Sequence, residues 1–190
     1  LSLCNKNMEK IPTSTTKHDL LAEVCYAANY EAQSLIRYHP QYQQKYGDSA
    51  SQLCTELARN FADIGDIVRG KDLYLGKKKK NQTERDKLEE NLQKIFKKIY
   101  NELTSTNGVK SRYKGDPEFF KLREDWWALN REDVWKALTC EAYGTYFHAT
   151  CGDSGSPSMA RDKCRCKDKN GKSETDQVPT YFDYVPQYLR

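Results

Sequence analysis

No stretch of the chain approaches the roughly 18 to 20 consecutive apolar residues that a membrane span requires, and no basic-then-apolar leader opens it. Direct membrane insertion by these residues is therefore not expected. Sustained alternation of apolar and polar residues is also missing, which argues against a sheet. Histidine is scarce, at three residues, so there are few candidates for a general base. Apolar residues make up only 37% and mean hydropathy is −0.92, low for a globular domain. Aromatic residues reach 12%, so a core must lean on rings and cross-links. At 190 residues one domain is the expectation.

What the chain does have is cysteine. Cys4, Cys25, Cys54, Cys140, Cys151, Cys164 and Cys166 are seven in all, a usage that fits an oxidising compartment. The odd count leaves one sulfur without a partner inside the sequence, and the chain opens at Leu1 and stops at Arg190 in what reads as a helix start. A piece of a larger protein is expected. Cys25 and Cys54 fall on apolar helix stripes, as small core residues or as anchors of a staple to a neighbouring helix. Cys140, Cys151, Cys164 and Cys166, with His148 among them, could form a zinc site. Only one residue separates Cys164 from Cys166, however, where zinc pairs usually have two to four, so two local disulfides are expected instead.

The formal net charge of +4 conceals segregation. Residues 77–114 hold twelve Lys and Arg against five Asp and Glu, and residues 161–172 hold six against two. The two segments contribute +7 and +4, so the remainder of the chain sums to −7. Such an arrangement suits a polyanion, and it equally suits a solvated surface.

Four helices are predicted. The first runs from about Lys17 to Tyr38, with Leu21, Val24, Cys25, Ala28 and Leu35 on one face and Pro40 as its stop. The second starts from a Ser49–Gln52 capping box, carries Leu53, Leu57, Phe61, Ile64 and Val68, and ends at Gly70. The third opens at Thr83 and repeats Leu88, Leu92, Ile95, Ile99 and Leu103 close to a coiled-coil seam, flanked by Lys94, Lys97 and Lys98. The fourth is predicted from Asp116–Pro117, with Phe120, Trp127, Val134 and Leu138 buried. The fold class expected is all-α, a disulfide-linked helical bundle with long irregular loops.

The hexapeptide GDSGSP at 152–157 matches the nucleophile region of chymotrypsin-like proteases. Ser154 would need a histidine base and an orienting aspartate on a double β-barrel. His18 and His39 lie on or beside a helix and no barrel is predicted, so an enzyme is not expected; no cofactor is expected either. Trp126, Trp127 and Trp135 at helical spacing read as core, with one exposed ring able to stack on a sugar. The run Lys77, Lys78, Lys79 and Lys80 reads either as a solvated loop or as a contact for sulfated glycan, because clustered ammonium groups displace counterions from a polyanion. Arg85 and Lys87 would join it, assisted by Lys110, Arg112 and Lys114. Asn81-Gln82-Thr83 is an N-glycosylation sequon.

The blocks LARNFADIGDIVRGKDLYLG (57–76), REDWWALNREDVWKALTC (123–140) and VPTYFDYVPQYLR (178–190), together with DLLAEVCYAANYEA (19–32), resemble the signature blocks of a Duffy-binding-like domain. Their form is most similar to the alpha class of the variant erythrocyte membrane protein family of Plasmodium falciparum. The resemblance implies an all-helical, disulfide-linked domain of three subdomains, of which residues 1–190 would hold the end of the first, the second and the start of the third. It further implies display on the extracellular face of the infected host erythrocyte membrane, antigenic variation under host antibodies, and a role in virulence. Partners would be an erythrocyte receptor or glycan (heparan sulfate, blood-group sugar or complement receptor one), engaged in rosetting or cytoadherence, and nucleic acid is not among them. Receptor contacts and epitopes would concentrate at 77–83, 104–115 and 150–177. The other reading is a structural and antigenic scaffold whose receptor site lies outside these residues.

Overall fold

The structure is a computed structural model that describes residues 17–46, 51–73, 84–103, 108–144, 146, 148–152, 155–160, 162–167, 170, 172 and 176–190, with 17–18, 39–46 and 51–52 described as backbone only. Among these residues the elements are α1 (Lys17–Tyr46), α2 (Ser51–Arg69), α3 (Glu84–Glu102), α4 (Val109–Arg112) and α5 (Phe120–Leu138). A minimal hairpin follows, β1 (Ala149–Cys151) with β2 (Ser158–Met159), and then two single 3-10 turns at Phe182–Tyr184 and Gln187–Leu189. The all-α expectation is met, and among the described residues the short β1–β2 pairing is a minor departure from a sheet-free fold.

α5 is the hub. It packs along α1, α2 and α3, while α2 also holds the Phe182–Tyr184 turn. The apolar stripes of α1 to α3 turn inward as their spacing requires: Leu20, Val24 and Ala28 from α1, Leu57, Phe61 and Ile64 from α2, and Leu88, Leu92 and Ile95 from α3 are all buried. Phe61 sits between Trp127 and Trp135, each ring centroid 5.1 Å from its own, and Phe96 meets Trp126 edge-on at 6.1 Å. Ring pairs of this kind add about 0.5–1.5 kcal/mol each beyond the area they bury. All three tryptophans are in the core, which removes them as sugar-stacking platforms.

Two glycines permit this packing. A Cβ on Gly65 would lie 2.8 Å from the Trp127 ring, so α2 and α5 approach at a distance only glycine allows. Gly70 ends α2 at φ +73°, the left-handed conformation that caps helices, and there too a Cβ would strike the Arg123 guanidinium, at 2.8 Å.

Two predicted boundaries move, and one short helix is added. α1 continues through Pro40 to Tyr46. Proline disfavours the helix by removing one N–H and crowding the carbonyl four residues back, and here that bias is overridden. α5 starts at Phe120 rather than Asp116–Pro117, behind Phe119 at φ 58°. Asp116 still serves the helix, its carboxylate accepting the Lys121 N–H at 2.6 Å. Phe120 itself is 40% exposed and does not belong to the buried face. α4 was not predicted, because four residues carry too little periodicity to read.

The cysteines differ more. Cys54 bonds Cys164 across 110 residues, and Cys151 bonds Cys166 across 15. Only the second is local, so the expectation of two local disulfides among Cys140, Cys151, Cys164 and Cys166 is corrected. Cys140 is free and exposed, and Cys25 is free and half-buried. Spacing favours near partners, but folding brings Cys54 of α2 against the loop after α5. Closing so long a loop stabilises the fold by roughly 4–5 kcal/mol in the chain-entropy picture. Among the described residues no cluster of metal-ligating side chains forms. Cys4 lies outside them.

Candidate functional site

The interior carries charge in an ordered system. Arg123, Trp127, Arg131 and Trp135 follow one another at i+4 along α5, which places two arginines on the same inward face as two tryptophans. Arg123 is fully buried. It donates to the α2 carbonyls of Val68 (2.6 Å) and Ile67 (3.0 Å), and to both oxygens of Glu89 on α3 (2.6 and 2.8 Å). One side chain thus caps α2, whose last carbonyls have no intrahelical partner, and ties it to α3. Burial pushes the Glu89 carboxyl up, but Arg123's hydrogen bonds and charge, with Gln93, bring it net below the usual range.

A second knot gathers at Asp183, which is 1% exposed. Its carboxylate accepts from Trp127 Nε1 (2.9 Å) and from Arg131 Nε and Nη2 (2.8 and 3.0 Å), while its carbonyl accepts from Arg69. Arg69 also pairs with Asp66 at 3.0 Å. Arg190 reaches back to Asp66 and Asp63. Burial raises the Asp66 carboxyl, against the opposing pull of Arg190 and Arg69. The segment 178–190 is therefore strapped across α2 and α5 by buried ion pairs. The arrangement fixes a rigid frame.

The surface candidates separate into groups. Lys77, Lys78, Lys79 and Lys80 lie outside the described residues, as do the Asn81–Thr83 sequon and Ser154. Arg85 is committed to the fold through its ion pair with the buried Asp72. Together with Ile67, Leu88 and Glu89 that pair lines a crevice with room for about one water-sized group. Arg112 grips Asp125 with two bonds, 2.7 and 3.0 Å, and Tyr113 donates to the same carboxylate at 2.9 Å. These contacts, the Arg112 hydrogen bond foremost, hold the Asp125 carboxyl below its ordinary value. Lys110 lies over the Tyr100 ring, 5.1 Å from its centroid. Lys87 and Lys114 are exposed.

Among the described candidates, Lys87 and Lys110 do not converge. Lys110 is at the Tyr100 end of α3 and Lys87 near its start, about 20 Å away for 13 residues of helix. α3 itself carries five basic and five acidic residues, so the local positive excess of the 77–114 segment comes chiefly from the lysine run. Sequence reasoning missed the buried arginines altogether. The signal that could have found them is the i+4 ladder of Arg123, Trp127, Arg131 and Trp135, since a charge repeating on a tryptophan face must find partners inside.

A predominantly helical frame, stapled by two disulfides among the described residues and strapped by buried arginines, defines a disulfide-linked helical domain. The family model of the Duffy binding domain matches residues 1–190, and the chain belongs to that family, whose members are adhesion modules and not enzymes. No curated protein matches it. Among solved structures it is similar to the N-terminal NTS-DBL1-alpha and CIDR-gamma double domain of PfEMP1 from the Plasmodium falciparum varO strain. That match has 40% identity, a TM-score of 0.75, and covers 98% of this chain and 25% of that one. It is also similar to the PfEMP1 IT4var13 DBLbeta domain in a structure bound to ICAM-1, at 28% identity and TM-score 0.69, covering 98% of this chain and 40% of that one. A separate structure of that ICAM-1-binding domain matches at 29% identity and TM-score 0.68, covering 99% of this chain and 39% of that one. The chain thus spans between a quarter and two fifths of the length of these relatives. No described helix is long and apolar enough to cross a membrane.

Proposed function

We propose that the chain is a receptor-binding adhesion module, part of a variant antigen on the outer face of the infected erythrocyte. The observation that carries this reading is its likeness over nearly its whole length to DBL domains of PfEMP1, one of them in a structure bound to ICAM-1. The physical design agrees. Arg123 and Asp183 lock the helices from within, so substitutions in the outer segments leave the frame standing, which suits antigenic variation under host antibodies. Residues 1–190 correspond on this reading to the end of one subdomain, most of the next and the beginning of a third.

The finer reading is contact with a sulfated glycan of the heparan sulfate class through Lys77, Lys78, Lys79 and Lys80. A run of four ammonium groups favours a polyanion over a neutral blood-group sugar or the mixed surface of complement receptor one. Lys87 and Lys114, both exposed, can add to it. Lys110 is partly occupied by Tyr100, and Arg85 and Arg112 serve the fold through Asp72 and Asp125. One copy should bind weakly, with adhesion and rosetting arising from many copies on one cell.

A heparin column run in rising salt tests this. Retention is expected at low salt, with elution well below the wild-type salt concentration once Lys77 to Lys80 are changed to Ser. Flow-through at low salt, or retention untouched by the four changes, contradicts the glycan reading. A second reading is favoured by the coverage: the chain spans 40% of the domain solved with ICAM-1, so the receptor site can belong to the remainder, leaving this piece as scaffold. Erythrocyte binding by the longer region with none by this chain would select it.

A further inference from the structure

A patch of exposed apolar side chains lies where segment 178–190 crosses the end of α2. Leu73, Tyr184, Tyr188 and Leu189 are each between 47% and 74% exposed. The Gln187 side chain gathers them. Its amide accepts from the Leu73 N–H at 2.8 Å and donates to Asp72 at 3.3 Å, which draws the loop after α2 against the Gln187–Leu189 turn. Tyr184 is fixed on the same segment by the cations beside its ring, Arg69 at 5.3 Å and Arg131 at 5.4 Å from the centroid. Large apolar side chains clustered on a rigid frame mark a surface that meets a partner.

The border of this patch carries unanswered donors. Arg190 follows Leu189, and its side chain, 6% exposed, pairs with Asp63 and Asp66. Its Nε–H nevertheless has no acceptor among the described residues. Asn60 stands one turn before Asp63, on the same side of α2; it is 5% exposed, and its Nδ2 is unpartnered as well. Buried donors are satisfied in nearly every native structure, so two open ones at one edge mark missing acceptors. The local charge says of what kind. Asp63 and Asp66 already balance Arg190 and Arg69 there, so a further carboxylate or sulfate would be repelled where a neutral oxygen is not. Neutral acceptors offered together with apolar side chains are the chemistry of a polypeptide, not of a sulfated glycan.

We propose that Asn60, Leu73 and the Tyr184–Arg190 segment form a docking surface for polypeptide of the same Duffy-binding domain beyond residues 1–190. Main-chain carbonyls of that polypeptide accept from Asn60 and Arg190, and its apolar side chains cover Leu73, Tyr188 and Leu189. Docking of this kind rests on the reading of residues 1–190 as part of a longer domain. Length supplies the occupant: the chain is matched over 98% of itself yet spans only 25% and 40% of two similar chains, which therefore carry ample polypeptide to cover the patch. The patch is then an internal joint, and receptor contacts lie elsewhere on the surface.

Hydroxyl-radical footprinting of this chain and of the longer Duffy-binding region, read by mass spectrometry, tests the docking. Each residue is compared with itself in the two proteins. Leu73, Tyr188 and Leu189 should be oxidised readily in this chain and several-fold more slowly in the longer region, while Tyr26 and Leu129, exposed elsewhere, keep their rates. Asn60→Leu reads the same joint with opposite signs. In this chain it removes an unsatisfied buried donor and should leave the urea midpoint unchanged or raise it, whereas in the longer region it removes a bonded one and should lower the midpoint. Attachment to cells enters none of these readouts, so failure of the joint is distinguishable from failure of the adhesion reading. Equal oxidation of Leu73, Tyr188 and Leu189 in both proteins would overturn the proposal. So would protection in this chain that grows with its concentration, as a second copy would give, protection of the longer region only once a host receptor is added, or an equal fall of both midpoints with Asn60→Leu.

Discussion

Replacing Asp183 with Asn is expected to lower the unfolding free energy by roughly 3–5 kcal/mol, the range for removing one partner of a buried ion pair. The shape is almost unchanged, so packing is not what is lost. Arg131, whose guanidinium makes two of its bonds to that carboxylate, is left charged among the rings of Phe61, Tyr181 and Tyr184. Trp127 Nε1 loses the anionic acceptor it now has. Urea unfolding should show a lower midpoint with the slope retained, the signature of a stability change in an unchanged fold. Combining Asp183→Leu with Arg131→Met should recover a substantial part of the loss, because removing both charges removes the uncompensated one. A single-variant loss below about 1 kcal/mol would show the knot to be dispensable.

The loss expected for Arg123→Ala is of similar size, about 3–5 kcal/mol, for a different reason. Here one cation satisfies two terminal carbonyls of α2 and both oxygens of Glu89. Truncation leaves a half-buried carboxylate unpaired, strips the cap and opens a void beneath Gly70. The pH dependence distinguishes the pair from simple packing. The Glu89 carboxyl titrates below its unfolded value, so its pairing contributes stability that is present above the unfolded pKa, about 4.3. That contribution is lost as pH falls through the lower folded value. In Arg123→Ala this acid-sensitive component should disappear from the urea midpoints, whereas a purely steric role would leave it unchanged.

How legible the molecule was depends on which physical signal each part carries. α2 and α3 could be placed because Leu57, Phe61 and Ile64, and then Leu88, Leu92, Ile95 and Ile99, repeat strictly enough to define a face, and Gly70 marks an end. α5 began four residues later than its Asp–Pro signal, since Asp116 caps Lys121 from a distance across a turn that no local rule describes. Pro40 failed as a stop because it biases a helix without forbidding it. The buried charges were illegible by composition, where arginine reads as surface. Only the tertiary approach of segment 178–190 to α5 gives Arg131 its partner.

Of the two local disulfides expected, one forms, Cys151–Cys166, and the other gives way for the same reason, since a link between residues 54 and 164 is a property of the folded chain. The glycan candidates show the limit from the other side. Charge counting grouped Arg85, Lys110 and Arg112 with the lysine run, and the structure engages Arg85 and Arg112 with Asp72 and Asp125.

The central claim, that this chain holds a host cell through its exterior while its core stays fixed, is tested most directly by attachment. Beads bearing many copies of the folded protein, presented to erythrocytes and to cells displaying host receptors, should adhere saturably. Adhesion should fall with added salt and with soluble heparin, and again when Lys77 to Lys80 become Ser. Beads that carry folded protein yet attach to no host cell at any salt, while the longer Duffy-binding region attaches normally, would place the adhesive surface elsewhere and contradict the account.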